Sequence, residues 1–173
     1  VAQRLLERTS WEPESVDWLT LGTALGCLES DYAYYQQILE RGPARTNPRI
    51  FAYTLPNVVL GEVAIRFGLT CDQLAVSAGG ASGLSAVVEA ARRIQLGEAE
   101  RALALIVDPV GPAAERLFAL DHRTPVPIAA GFALARGSGP SIKSARLAFE
   151  PGAGAPNPDP LGGAAIVELL AAV

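Results

Sequence analysis

The apolar residues of this chain recur with two periods. Over residues 1–9, Val1, Leu5 and Leu6 fall on one side and Gln3, Arg4 and Glu7 on the other, the 3.6-residue repeat of an amphipathic helix. Ser10-Trp11-Glu12-Pro13 ends it. Residues 16–22 are rich in β-formers and close on glycine, which predicts a strand running into the turn from Gly22 to Gly26. A second helix follows. Ser30 is placed to cap it, Asp31 suits the positive end of its dipole, and Tyr32, Tyr35, Ile38 and Leu39 form an apolar stripe that stops at Gly42-Pro43. Residues 47–56 read as an extended connector. The next helix, over 56–67, opens on a proline tolerated in a first turn and stops at Gly68 in the C′ position.

Residues 74–77 form a short apolar run predicted to be a strand. From Ser82 the spacing turns helical: Leu84, Val87, Val88, Ala91 and Ile94 face one way and Glu89, Arg92 and Arg93 the other, until Gly97. Residues 102–107 are apolar at every position, as in a strand covered on both faces. Residues 127–135 and 142–149 read as two more strands joined by Gly137-Ser138-Gly139-Pro140. Residues 151–163 read as a Pro/Gly-rich surface linker, 164–173 as a last short helix, and the remainder as loops. Strands separated by helices predict an α/β layered domain with a mostly parallel sheet, its final strands antiparallel.

Composition narrows the class. At 173 residues and half apolar, the chain is long enough for one domain with its own core. A net charge of −4, with no Lys/Arg cluster interleaved with aromatics, argues against nucleic acid as a partner. The apolar runs fall short of the roughly 20 residues of a membrane span. Residues 1–6 lack the basic and apolar regions of a secretory signal, so a cytoplasmic location is expected. The absence of Met, even at position 1, points to a piece of a longer chain. Cys27 and Cys71 have neither CxxC nor His-paired spacing; buried free thiols are expected, with no disulfide, metal or cofactor site.

The segment "VSAGGASGL", residues 76–84, carries the chemical question. A buried strand that turns sharply into a helix is a common seat for a nucleophile, yet its tip is Gly79-Gly80. Backbone N–H groups there can approach a partner or an oxyanion closely; the plainer reading is that glycine fits a tight turn. Ser82 precedes an apolar helical run and reads as an N-cap, and Ser77 as a strand-end hydroxyl that satisfies backbone groups. Cys27 follows the first glycine turn and reads as packing. Glu29 and Asp31, two apart, diverge on a helix and read as a solvated cap. His122, the sole histidine, reads as a loop residue.

Taken in order, "NPRIFAYTLPNVVLGEVAIRFGLT" and "VSAGGASGLSAVVEAARRIQLGEAERALALIVD", with a weaker match in "SVDWLTLGTALGCLESDYAYYQQIL", resemble the N-terminal half of β-ketoacyl synthases, members of the thiolase-like superfamily. The resemblance covers roughly residues 1–150 and implies a thiolase-like half-fold there, with 151–173 a linker and short helix of the same domain. In active members the turn looks like Thr-Ala-Cys-x-Ser-Gly, its thiolate at a helix N-terminus taking an acyl chain from a carrier protein. Aligning Ser82-Gly83 with that Ser-Gly puts Gly80 at the cysteine position, so no catalytic residue is carried over. Cys71 stands where the family usually has a Gly-Pro turn. The family's histidine pair belongs to a C-terminal half beyond the matched part.

Three readings follow from the resemblance. The first is a non-catalytic partner subunit, similar to the chain-length factors of ketosynthases, in fatty acid or polyketide-type assembly. It would pair with a ketosynthase or with itself along Leu74, Ala75, Val76, Ser77 and Ala78. The second is a thioester enzyme working through Ser82 or Cys27. The third is a module that binds acyl-carrier protein or an acyl chain.

Overall fold

The computed structural model describes residues 1–137. In chain order its elements are α1 (Ala2–Thr9), β1 (Trp18–Gly22), α2 (Leu28–Arg41), α3 (Pro48–Ala52), α4 (Val58–Phe67), β2 (Asp72–Val76), α5 (Ser82–Leu96), β3 (Arg101–Asp108), α6 (Pro112–Ala119) and β4 (Ile128–Ala135). The strands form one sheet in the order β2-β1-β3-β4. β1 runs parallel to both β2 and β3, and β4 is antiparallel to β3, as the strand and helix alternation predicts. The strand expected at 142–149, the linker at 151–163 and the helix at 164–173 lie outside the described residues.

Two apolar layers hold helices to this sheet. Leu19, Leu21, Leu103 and Leu105 alternate to one face, where they meet Ala2 and Leu6 of α1 and Leu60 and Ala64 of α4. Trp18, Ala102, Ala104 and Ile106 take the other face, against Val87 and Ala90 of α5. The period-2 alternation of side chains across a strand divides the two sets. Both faces of β3 are therefore covered, which is why its sequence is apolar throughout. Thr20 is the polar residue within this layer, and its buried hydroxyl donates to the Ala86 carbonyl of α5 at 3.0 Å. The Arg93 guanidinium lies 4.3 Å from the centre of the Trp18 ring and pairs with Glu89 and Glu98, closing the end of that layer.

Five expectations need correction. Residues 48–52 are helical instead of extended: Asn47 Oδ1 accepts the Arg49 N–H, and Pro48 supplies a preset φ at the first position. Residues 112–119 form a helix rather than a loop, again opened by proline. α2 begins at Leu28, which puts Ser30 inside its first turn, where it caps nothing. The stripe of α2 is not a core stripe either. α2 rests on α3 and α6 rather than on the sheet, so Tyr35 stays 57% exposed and Leu39 63%. On α5, Val88 likewise faces outward.

Candidate functional site

The ends of three parallel strands meet beneath the glycine turn. β1 ends at Gly22, which pairs with Val76 of β2 and Ile106 of β3. A Cβ at Gly22 would lie 2.4 Å from the Ser82 carbonyl oxygen and 2.8 Å from Gly83 Cα. The first turn of α5 therefore rests directly on the β1 backbone. A side chain at position 22 would lift the helix off the sheet.

The turn from Ser77 to Ala81 is closed by its own atoms. Gly79 has a φ of +54°, a conformation that favours glycine. The Ala81 N–H donates to the Ala78 carbonyl and the Ser82 N–H to the Gly79 carbonyl, both at 3.1 Å. Ser82 is fully buried at the first position of α5 and does not serve as its N-cap. Its Oγ accepts the Ala78 N–H at 2.9 Å and donates to the Gly79 carbonyl at 2.6 Å, so the hydroxyl is spent on the turn. Ser77 meets its expectation: its hydroxyl donates to the Thr23 carbonyl at 2.8 Å. Gly80 is half-buried between the end of β2 and the start of α5 and presents no side chain.

Below the turn sits a residue that the sequence pattern did not single out. Asp108 ends β3 with its side chain fully buried. One carboxylate oxygen accepts the Thr23 hydroxyl at 2.7 Å and the Leu25 N–H at 2.8 Å, and the Ala24 N–H donates to both oxygens. Thr23 Oγ1 in turn accepts the Gly26 N–H at 2.8 Å, and the Thr23 N–H donates to the Val76 carbonyl. A buried carboxylate needs this many donors to offset its lost hydration. The available signal was an acid closing an otherwise apolar run.

Glu29 also departs from its expected role as a solvated cap. Its two oxygens accept the N–H groups of Ala113 and Ala114 at 3.1 and 2.9 Å, so it caps the start of α6. Gly111 makes room for it, since a Cβ there would fall 2.6 Å from the carboxyl carbon. Asp31, its sequence neighbour, stays exposed.

The thiols are half-buried, less than expected, and both are free. Burial, then the charge of Asp31, pushes the Cys27 thiol up, and burial does the same to Cys71. An activated thiol needs the opposite shift. Among the described residues no hydrogen bond joins either thiol to His122, which sits exposed in the turn after α6 with a φ of +55°. No group of three or more His, Cys, Asp or Glu able to hold a metal occurs among the described residues. No described helix is long and apolar enough to cross a membrane.

The expected pairing strand lies at the rim of the sheet. β2 has β1 on one side and no described strand on the other. Leu74, Ala75 and Val76 are half-buried, while Ser77 and Ala78 lie past its end and are exposed.

Comparison with known proteins agrees with this layout. The family model described as "Beta-ketoacyl synthase, N-terminal domain" matches residues 1–119. The 3-oxoacyl-[acyl-carrier-protein] synthase 2 of Vibrio cholerae is 30% identical over 86 residues, which is 50% of this chain and 21% of that protein. A ketosynthase in complex with its chain length factor from Xenorhabdus doucetiae superimposes with a TM-score of 0.66 at 25% identity, covering 80% of this chain and 55% of the matched one. A β-ketoacyl synthase from Burkholderia phymatum shares the fold, with a TM-score of 0.59 at 18% identity over 72% of this chain and 32% of its own. The chain thus spans from about a fifth to about half of the relatives it matches. With the family match over most of its length, and a strand–turn–helix junction in the order that the resemblance implies, the chain belongs to the β-ketoacyl synthase N-terminal domain family.

Proposed function

We propose that this chain is a non-catalytic ketosynthase-like subunit, chain-length-factor-like in role, which pairs with an active ketosynthase in the assembly of acyl chains. One observation carries the reading: the junction between β2 and α5 holds Gly79 and Gly80 and no reactive group, while Ser82, the nearest hydroxyl, is buried and engaged at both its donor and its acceptor. The raised thiols of Cys27 and Cys71 make poor substitutes. The X. doucetiae structure holds a ketosynthase together with a chain length factor, which supports the same assignment.

The pairing surface in this reading is the open edge of β2. The Val76 carbonyl accepts the Thr23 N–H on the β1 side. The N–H and carbonyl of Ala75, one residue earlier, therefore face away from β1. An edge of this kind is a template for another chain. Co-expression with the ketosynthase encoded nearest to it tests the proposal. The two should co-purify, and Ala75→Pro, which removes an outward N–H without touching the β1 ladder, should release the partner while the subunit stays folded. A chain that never associates, or an Ala75→Pro variant that associates as the parent does, contradicts it.

A second reading, contact with an acyl-carrier protein, is favoured by Arg41, Arg45 and Arg49. All three are exposed at the end of α2, in the following turn and at the start of α3, and none has an ion pair among the described residues. On a chain of net charge −4 this is a local positive patch suited to an acidic partner. Reversing all three to Glu should abolish any carrier binding seen by native mass spectrometry; binding that survives the reversal rules the patch out.

A further inference from the structure

α2 is a helix of 14 residues with no buried residue, and α3 has none either. A helix of that length is marginal in water on its own, so its neighbours must hold it. Many of the contacts that do so lie within one unit. Gln37 Oε1 accepts the Asn47 N–H at 2.8 Å, Thr46 donates to the Tyr34 hydroxyl at 3.1 Å, and the Tyr34 and Phe51 rings lie 5.4 Å apart. Between α2 and Thr54 a hollow of about 460 Å³, lined by Leu28, Asp31, Tyr32 and Tyr35, stands in place of a packed layer. The polar ties from this unit to α6 and α4 are made by its side chains. Glu29 reaches the first turn of α6 in the notch left by Gly111, Arg116 of α6 meets the hydroxyl and ring face of Tyr32, and the Tyr53 hydroxyl donates to Glu62 of α4.

Both flanks of the unit are fixed. Before it, Asp108 holds the Ala24 and Leu25 N–H groups, and Gly26, with a φ of +59°, supplies the bend. After it, Leu60 and Ala64 anchor α4 in the core. We propose that residues 27–55 form a latched lid at the elbow end of the sheet, which opens as one unit when Glu29 leaves the start of α6. Local opening falls to elements with few buried apolar contacts, and here these lie between two rigid anchors. The lid follows β1 from Gly22, where that strand meets Val76 and Ile106, so it rises from the end of the sheet that carries the glycine turn. Glu29 is the key to the latch: a carboxylate on two N–H groups at a helix start binds more strongly than a neutral acceptor. Cys27 sits half-buried at the base of the lid and becomes accessible when it opens.

Hydrogen exchange of the full 173-residue chain, read by mass spectrometry, tests this. Peptides from α2 and α3 should exchange at a common rate, on the order of a hundredfold faster than those from α5 and β3. Glu29→Ala should raise exchange in α2 and α3 together by roughly tenfold, leaving α5 and β3 as in the parent. Glu29→Gln, which keeps one acceptor, should fall between. Alkylation by iodoacetamide at fixed pH is the second readout: Glu29→Ala should speed modification of Cys27 several-fold and leave Cys71, which lies outside the lid, unchanged. A Glu29 that merely caps α6 would alter the amides of Ala113 and Ala114 and nothing in α2 or α3, and that result overturns the proposal. So does α2 protected as well as α5, α2 and α3 opening at separate rates, or equal acceleration at both thiols. No ketosynthase enters either measurement, so failure of the lid leaves the pairing through β2 untouched.

Discussion

Thr23 and Asp108 are joined by a 2.7 Å hydrogen bond across the ends of neighbouring strands, 85 residues apart in sequence. That contact ties the loop after β1 to the end of β3, and through the Thr23 N–H and carbonyl it also holds Val76 and Ser77 beneath the glycine turn. The frame around the elbow is therefore built from polar groups that satisfy one another, and its stability can be measured apart from any activity.

Asp108→Ala should be among the most destabilising single changes. It strips acceptors from the Thr23 hydroxyl and from the Ala24 and Leu25 N–H groups at a buried site, at a cost of about 3 kcal/mol or more. Thermal unfolding followed by circular dichroism should show a fall in Tm on the order of 10 °C. A Tm within about 2 °C of the parent would contradict the arrangement.

Gly22→Ala tests the seating of α5 on β1. The added methyl would lie 2.4 Å from the Ser82 carbonyl oxygen, where backbone must move. The expected loss is about 3 kcal/mol, at the upper end for overpacking, in urea-induced unfolding. At Gly61, where a Cβ would meet nothing within 4 Å, alanine should instead be neutral or slightly stabilising.

Most of the layered fold was legible because its cause is local. Apolar spacing marks α1, α5 and the four strands, and glycines in the left-handed region at positions 68 and 97 mark the ends of α4 and α5. What sequence spacing missed depends on distant partners. Glu29 looks like a solvated acid until α6 is placed against it 84 residues later, and the stripe of α2 looks like a core stripe until the helix is seen to stand away from the sheet. Asp108 is silent for the same reason: its donors come from the loop after β1. At the elbow the glycines are visible in the sequence, but the engagement of the Ser82 hydroxyl by Ala78 and Gly79 is a matter of three-dimensional closure.

Glu29→Ala should cost about 1–2 kcal/mol by uncapping α6. Hydrogen exchange should rise at the N–H groups of Ala113 and Ala114 and leave β3 unaffected. Equal protection at those two amides in both proteins would show that the cap contributes nothing.

The thiols give a pH prediction. Both titrate above the ordinary value of 9.0, so the folded chain favours the neutral thiol. Alkylation of Cys27 and Cys71 by iodoacetamide should be slower than that of a free thiol near pH 8 and accelerate only as pH rises past 9. The linkage has the same sign: the unfolded chain ionises its thiols first, so stability drops as pH climbs through that range. Rapid alkylation of either cysteine at pH 7 would reverse the assignment.

The measurement closest to the main claim is the intact mass of this chain after incubation with an acyl thioester, alone and beside its co-purified ketosynthase. The account predicts an acyl adduct on the ketosynthase and an unchanged mass for this chain in both settings. A stoichiometric acyl adduct on this chain, mapped to Ser82, Cys27 or any other side chain, would contradict it.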